Sequence, residues 1–217
     1  MSDIFQEVDE EVRREQLQKL WERYQNYIYA GIFVILAGVG GWRVNEWYET
    51  KRAAETGAAF EAAATLDQEG KAAEAESAYG KVAADGTASY RDLARVRQAA
   101  ELAQRDPKLG LAAYEKIADD SAVGSAWRDL AGLRAGSLQI DAGAYNEARS
   151  RLEPLASEGR PYRYTARELL ALAAWRAGDT AGAKRWFDLL ATDLQTPPAT
   201  RSRIEMLNAL VAAGSGT

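Results

Sequence analysis

The nucleophilic and acid–base side chains in this chain are Ser, Thr, Asp, Glu, Lys and Tyr; there is no cysteine and no histidine. Without thiol or imidazole, His-based triads, thiolate nucleophiles, disulfides and the usual zinc ligand sets are excluded. The remaining polar residues fall at helical positions that read as solvent-facing. No glycine-rich phosphate loop follows a strand, because no stretch reads convincingly as a strand. The expectation is a protein with no enzymatic activity, no cofactor, no metal and no small-molecule substrate, whose surface chemistry is recognition. The residues chosen for that role are Arg95, Leu133, Arg134, Ser137, Glu168, Leu172, Trp175 and Arg176. Trp and Arg are the types that most often dominate a binding interface. What makes these eight a set is the arrangement of the elements that carry them.

From residue 49 onward the sequence is Ala-rich and charged, with helical periodicity almost to its end. A bend position, then Ala or Gly five residues on, then a large apolar residue four further, recurs four times: Gly70/Ala75/Tyr79, Arg105/Gly110/Tyr114, Gly143/Ala148/Leu152 and Gly178/Ala183/Phe187. A large aliphatic follows three residues later each time, at Val82, Ile117, Leu155 and Leu190. The period of 35 to 38 residues is that of a two-helix unit. Glycine ends the first helix, the small residue sits where the helices cross, and the large one fills the gap to the next unit. The second unit lacks the bend glycine but has Asp106-Pro107, a capping residue followed by proline in the first turn.

Pro161 can begin another first helix, and Thr196-Pro197-Pro198 stops one helix and starts the last. That last helix carries Ile204, Leu207 and Val211 on one stripe and Arg201, Arg203 and Glu205 elsewhere, which suits an end cap. The predicted fold is therefore all-α: about four helix pairs in a solenoid over residues 49–217, closed by a capping helix. This pattern resembles the tetratricopeptide repeat. Counting back from the bends places the eight recognition residues on the first helices, facing a concave groove; for Leu133, Leu172 and Trp175, packing between helices is an equally open reading. Tetratricopeptide domains that clamp acidic carboxyl termini use a fixed Lys/Asn/Arg set. Here only Arg134 falls on one of those positions, with Phe60, Ala64, Val96 and Leu130 at others.

Ahead of the repeats, residues 27–42 (YIYAGIFVILAGVGGW) hold no charge. Ile28, Ile32, Phe33, Val34, Ile35, Leu36 and Val39 favour membrane insertion by roughly 2 to 4 kcal/mol together. Arginine at mid-bilayer would cost about 2.5 to 3.5 kcal/mol, so Arg43 belongs at an edge. Extending the frame to Tyr48 gives a helix of about 33 Å, enough for a hydrocarbon core of roughly 30 Å. Trp21, Tyr24 and Tyr27 gather at one end and Trp42, Trp47 and Tyr48 at the other, as interfacial aromatics do. Residues 27–48 are predicted to be a transmembrane helix. The competing readings are a buried core helix and a cleaved signal peptide. The paired aromatic ends argue against the first. The net-acidic segment of 26 residues before the run argues against the second.

That segment, residues 1–26, has Ile4, Phe5, Val8 and Val12 at helical spacing, continued by Leu17, Leu20, Trp21 and Tyr24. It is an amphipathic helix, with Asp3 and Gln6 spaced as a capping box, and its stripe suits either a membrane surface or a docking partner. Its net charge is −3 and that of residues 43–217 is −2. Neither offers a basic surface that would exchange counterions with a nucleic acid. Basic residues are almost equally frequent on the two sides of the apolar run, so sidedness is not set by charge.

An acidic tail, one span ending Gly41-Trp42-Arg43 with aromatics close behind, and a divergent repeat body together resemble the YfgM-type ancillary subunits of the bacterial Sec translocon. The resemblance implies an inner-membrane protein with its tail in the cytoplasm and its repeats in the periplasm. It also implies partners: the Sec translocon and the membrane-anchored PpiD chaperone, with a role in receiving emerging polypeptides. The alternative is a structural scaffold of an envelope or cell-division complex with no part in secretion.

Overall fold

The computed structural model describes the backbone of residues 3–214 and the side chains of Arg14 and of residues 20–209 other than Ile28. The stripe of Ile4, Phe5, Val8, Val12 and Leu17, and Val211 of the last helix, lie outside the described side chains. Among the described residues the regular structure is helical, without strands. The helices are α1 (Asp3–Gln68), α2 (Ala72–Asp85), α3 (Ala88–Arg105), α4 (Pro107–Ala118), α5 (Ser125–Asp141), α6 (Tyr145–Leu152), α7 (Arg163–Arg176), α8 (Thr180–Thr192) and α9 (Pro198–Gly214). A 3₁₀ turn, Glu153–Ala156, extends α6.

The chain divides into two compact units, Met1–Ala53 and Ala54–Thr217. One helix, α1, runs through both of the boundaries expected at residues 26/27 and 48/49. Within the first unit the apolar side chains Ile32, Phe33, Val34, Ile35, Leu36 and Val39 are all exposed. A buried core helix would have covered them. Among the described residues, Leu20–Gln68 contains the one stretch long and apolar enough to cross a membrane.

The second unit is a stack of helix pairs, and its bends have the expected chemistry. Gly70, Gly143 and Gly178 take φ of +74°, +77° and +79°, where a Cβ would be strained. In each case the next amide reaches back five residues: Lys71 to Leu66, Ala144 to Gln139 and Asp179 to Ala174, at 2.8–2.9 Å. This is the Schellman closure that satisfies carbonyls left open at a helix end. At the second bend the Asp106 carboxylate accepts from the amides of Lys108 and Leu109, at 2.9 and 3.2 Å, and Pro107 opens α4.

The small positions are fully buried at Ala75, Ala148 and Ala183, and Gly110 is buried as well. The large apolar residues Tyr79, Tyr114, Leu152 and Phe187 are buried, as are Val82, Ile117, Leu155 and Leu190 behind them. Each such side chain contributes roughly 1.5–3 kcal/mol of burial. The core is divided along the stack. Tyr79 packs with Ala63 and Ala94, Tyr114 with Ala99 and Ala131, Leu152 with Leu133 and Leu170, and Phe187 with Ala171 and Ile204. Every cluster joins one unit to the first helix of the next, so stability passes between neighbours. The last cluster is closed by Ile204 of α9, with Leu207 half-buried beside it, and Arg203 of α9 pairs with Glu168 of α7 at 2.8 Å.

One buried carboxyl stands out. Glu101 of α3 is 2% exposed, and burial raises its pKa, assisted by the adjacent carboxylate of Asp67 from α1. A carboxyl whose pKa rises on folding binds its proton more tightly in the native state. Its stabilising effect is therefore complete below the unfolded value, near 4.3, and is lost as pH climbs through the raised folded value. Glu101→Gln is accordingly expected to raise the melting temperature at neutral pH, with the gain shrinking to nothing below about pH 4. Thermal melts of both proteins across pH 3.5–8 check this; a constant gain would mean that ionisation is not its source.

Candidate protein-binding groove

The first helices of the second and third units, α3 and α5, run side by side and leave a groove of about 560 Å³ between them. From α3 it is lined by Leu93, Val96, Arg97, Ala100 and Gln104, an i, i+3, i+4, i+7, i+11 stripe down one face. From α5 the lining is Trp127, Leu130, Arg134, Ser137 and Leu138. Tyr114 of α4 lies at the bottom, 4% exposed. Burial pushes the Tyr114 phenol up in pKa, the guanidiniums of Arg134 and Arg97 oppose that shift, and the Glu101 carboxyl adds to it.

The eight residues chosen from sequence are distributed more widely than one groove. Arg134 and Ser137 line it. Arg95 is turned away and pairs with Asp120 at 2.8 Å. There the Ala122 amide, followed by Arg95 itself, holds the Asp120 carboxyl below the usual range. Leu133 is 7% exposed and packs with Ile140, Leu152 and Leu170, and Leu172 is half-buried against the same core. Their place on α5 and α7 faces inward, not into the groove. Glu168 is engaged with Arg203, and Arg176 with Asp141 at 3.0 Å. Trp175, on the last turn of α7, is 39% exposed.

Arg97, Trp127 and Leu93 are lining residues that sequence reasoning did not select. The α5 face could have yielded Trp127, since Trp127, Leu130, Arg134 and Ser137 follow steps of three, four and three. No comparable glycine bend orients α3, so which of its adjacent arginines, Arg95 or Arg97, faces the groove was not legible from the bend.

In the first unit the expected interfacial side chains are exposed around the helix. Trp21, Tyr24 and Tyr27 precede the apolar run, and Trp42, Trp47 and Tyr48 follow its core. Arg43 pairs with Glu46 at 3.1 Å and lies 5.9 Å from the Trp42 ring, and the Lys51 ammonium sits 5.5 Å from the Trp47 ring. A cation beside the ring of an amphipathic aromatic suits the headgroup layer.

Among the described residues no group of three or more carboxylates gathers in a way that could hold a metal ion. Stacked helix pairs with Gly bends, a small residue at each crossing and an open groove on the first helices define a helical-repeat interaction module. Residues 18–207 match the tetratricopeptide repeat-like domain family, and the chain belongs to that family. No curated protein and no solved structure matched the chain. Repeats of this kind are generally non-catalytic and bind other proteins, and no enzyme family is indicated.

Proposed function

We propose that this protein is a membrane-anchored adaptor that holds protein partners at the bilayer surface, as an accessory subunit of the Sec translocon. In this reading it works beside a PpiD-like membrane-anchored chaperone on polypeptides as they emerge. The observation that carries the proposal is the composition of α1. That single helix bears the uncharged run of residues 27–42 and, further along, Ala63 of the first repeat cluster. The family match likewise takes in both the run and the repeats. A tether of this kind raises the local concentration of the binding domain, so individual contacts can be weak and still effective. The translocon and the chaperone rest on the resemblance of the tail, the Gly41-Trp42-Arg43 exit and the divergent repeats. So does the placement of the protein in a bacterial inner membrane, with the tail cytoplasmic and the repeats periplasmic.

Cross-linking in native membranes tests the assignment. Recovery of translocon subunits and nascent secretory chains is expected; recovery of wall-synthesis or division proteins alone would replace the adaptor with an envelope scaffold. Protease treatment of intact spheroplasts should digest residues 54–217 and spare the tail. A second prediction concerns the exposed recognition residues. Trp175→Ala combined with Arg134→Ala is expected to reduce cross-link yield severalfold with unchanged melting. Neither side chain is fully buried, and substitutions at such positions cost about 0.5 kcal/mol or less. A large drop in melting temperature would show that they support the fold.

A further inference from the structure

We infer that the groove between α3 and α5 receives an amphipathic protein segment whose apolar face is flanked by internal side-chain carboxylates. This rests on the reading of the repeats as a protein-binding module and specifies what they bind. The chain is net acidic, yet no Asp or Glu lines the groove, whereas an arginine projects from each wall, Arg97 from α3 and Arg134 from α5. Elsewhere in the repeats arginines are commonly paired across helices, as with Arg105 and Glu76, Arg151 and Glu115, or Arg160 and Asp129. Arg97 and Arg134 make no hydrogen bond or ion pair among the described residues. Along α3 the carboxyl of Glu101, four residues on, is buried and engaged with Asp67; Arg97 acts on it only through space, opposing the rise in its pKa, and Glu101 does not line the groove.

Two guanidiniums over an apolar floor suit an occupant that offers carboxylates beside large apolar side chains. The carboxylates belong to side chains within the segment and not to a chain terminus. Val96 and Leu130 make the floor apolar, with one cation on each wall. Size agrees. Leu93 to Gln104 and Trp127 to Leu138 each span eleven helical steps, about 16 Å, or three turns of a docked helix. A helix with side chains is about 10–12 Å across, so a groove of 560 Å³ admits the side chains of one face. Within the groove a nucleic acid would meet only these two cations, on a chain of net charge −5.

The test uses the full chain in phosphatidylcholine nanodiscs and three fluorescent peptides of about twelve residues, three helical turns. All carry Leu and Phe on one face; they differ in having two glutamates, two glutamines or two lysines beside it. The glutamate peptide is expected to bind at least about tenfold more tightly than the glutamine one. That gap should narrow as salt rises from about 0.1 to 1 M and the screening length falls from roughly 10 to 3 Å. Arg97→Gln with Arg134→Gln should abolish the gap while leaving affinity for the glutamine peptide and the helical content unchanged. Arg97→Glu with Arg134→Glu should transfer preference to the lysine peptide. Equal binding of the glutamate and glutamine peptides, or a gap that survives the double Gln variant, overturns the inference. If no peptide binds while translocon cross-links are recovered, the groove chemistry is wrong and the adaptor reading stands. If the peptides sort as expected while those cross-links are absent, the groove stands and the translocon assignment falls.

Discussion

A chain carrying Phe33→Arg and Leu36→Arg is expected to leave the membrane fraction and appear in the carbonate supernatant. The apolar residues of the run favour insertion by roughly 2 to 4 kcal/mol together, and each arginine near mid-bilayer costs about 2.5 to 3.5 kcal/mol. Two arginines therefore exceed the whole driving force, whereas one would only approach it. Leu36 is nine residues from Tyr27 and twelve from Tyr48, about 14 and 18 Å along the helix, too deep for its replacement to lie at an edge as Arg43 does. Neither side chain is covered by another part of the chain, at 72% and 64% exposed, so the substitutions remove no packing. The melting curve of the repeats should be unaltered. Phe33→Leu with Leu36→Ile should remain in the pellet as the control. Retention of the double-arginine chain in the pellet would mean that another part of the protein supplies the anchorage.

How much was legible from the sequence follows from where the determinants lie. The bends are local: Gly70, Gly143 and Gly178 close helices with backbone bonds to residues five positions earlier, so glycine spacing alone located three of the four. The second bend was equally readable, because the Asp106 cap acts on amides two and three residues away. Burial at the crossings was also readable, because the interval from Ala75 to Tyr79, or from Ala183 to Phe187, repeats in every unit and places both side chains on one face. The groove was less legible. Its lining depends on how far α3 and α5 rotate against α4, and that is set by contacts between units. Tyr114, Ala99 and Ala131 pack together across three helices, and nothing local announces the result. Hence Arg95 and Leu133 were placed in the groove by a count from the bends, whereas Arg97 and Trp127 occupy it.

The division of roles between paired and unpaired arginines follows from the same geometry. Arg151 of α6 reaches Glu115 of α4 and Asp119 just past its end, and Arg167 of α7 donates to the Ala156 carbonyl at 3.0 Å and meets Asp193 at 3.2 Å. Such pairs fix one unit against the next and are partly shielded from solvent, so they contribute more to register than isolated exposed pairs do. At the positions of the first helices that face this groove no carboxylate lines the walls, so Arg97 and Arg134 make no hydrogen bond or ion pair among the described residues and are available for recognition.

Gly110 is the position at which a single methyl group is expected to do most damage to the repeats. A Cβ built there would lie 2.3 Å from both Cα and Cβ of Ala103 and 2.7 Å from its amide nitrogen. These are mostly backbone atoms of α3, which cannot swing aside as a side chain can, so α3 and α4 must separate. Intrinsic helix propensity acts in the opposite direction, favouring Ala over Gly by up to about 1 kcal/mol. Overpacking of a tight core costs about 1–3 kcal/mol and occasionally more, and contacts this short belong at the upper end. The clash therefore prevails, and Gly110→Ala should destabilise by about 2 kcal/mol net, lowering the melting temperature by roughly 4–8 °C for a body of this size. Gly110→Val should be worse on both counts, since a branched side chain adds volume and loses helix propensity. Gly136→Ala provides the comparison. Its Cβ would meet Leu152 side-chain atoms at 2.7–3.0 Å, and a leucine can shift, so a smaller loss is expected there. Because each cluster joins neighbouring units, the damage at Gly110 should also be visible in hydrogen exchange as lost protection along α3, α4 and α5, with α8 and α9 least affected. A Gly110→Ala protein that melts at or above the parent temperature would show that α3 and α4 have room to part, and that the small residue at this crossing is not what sets their distance.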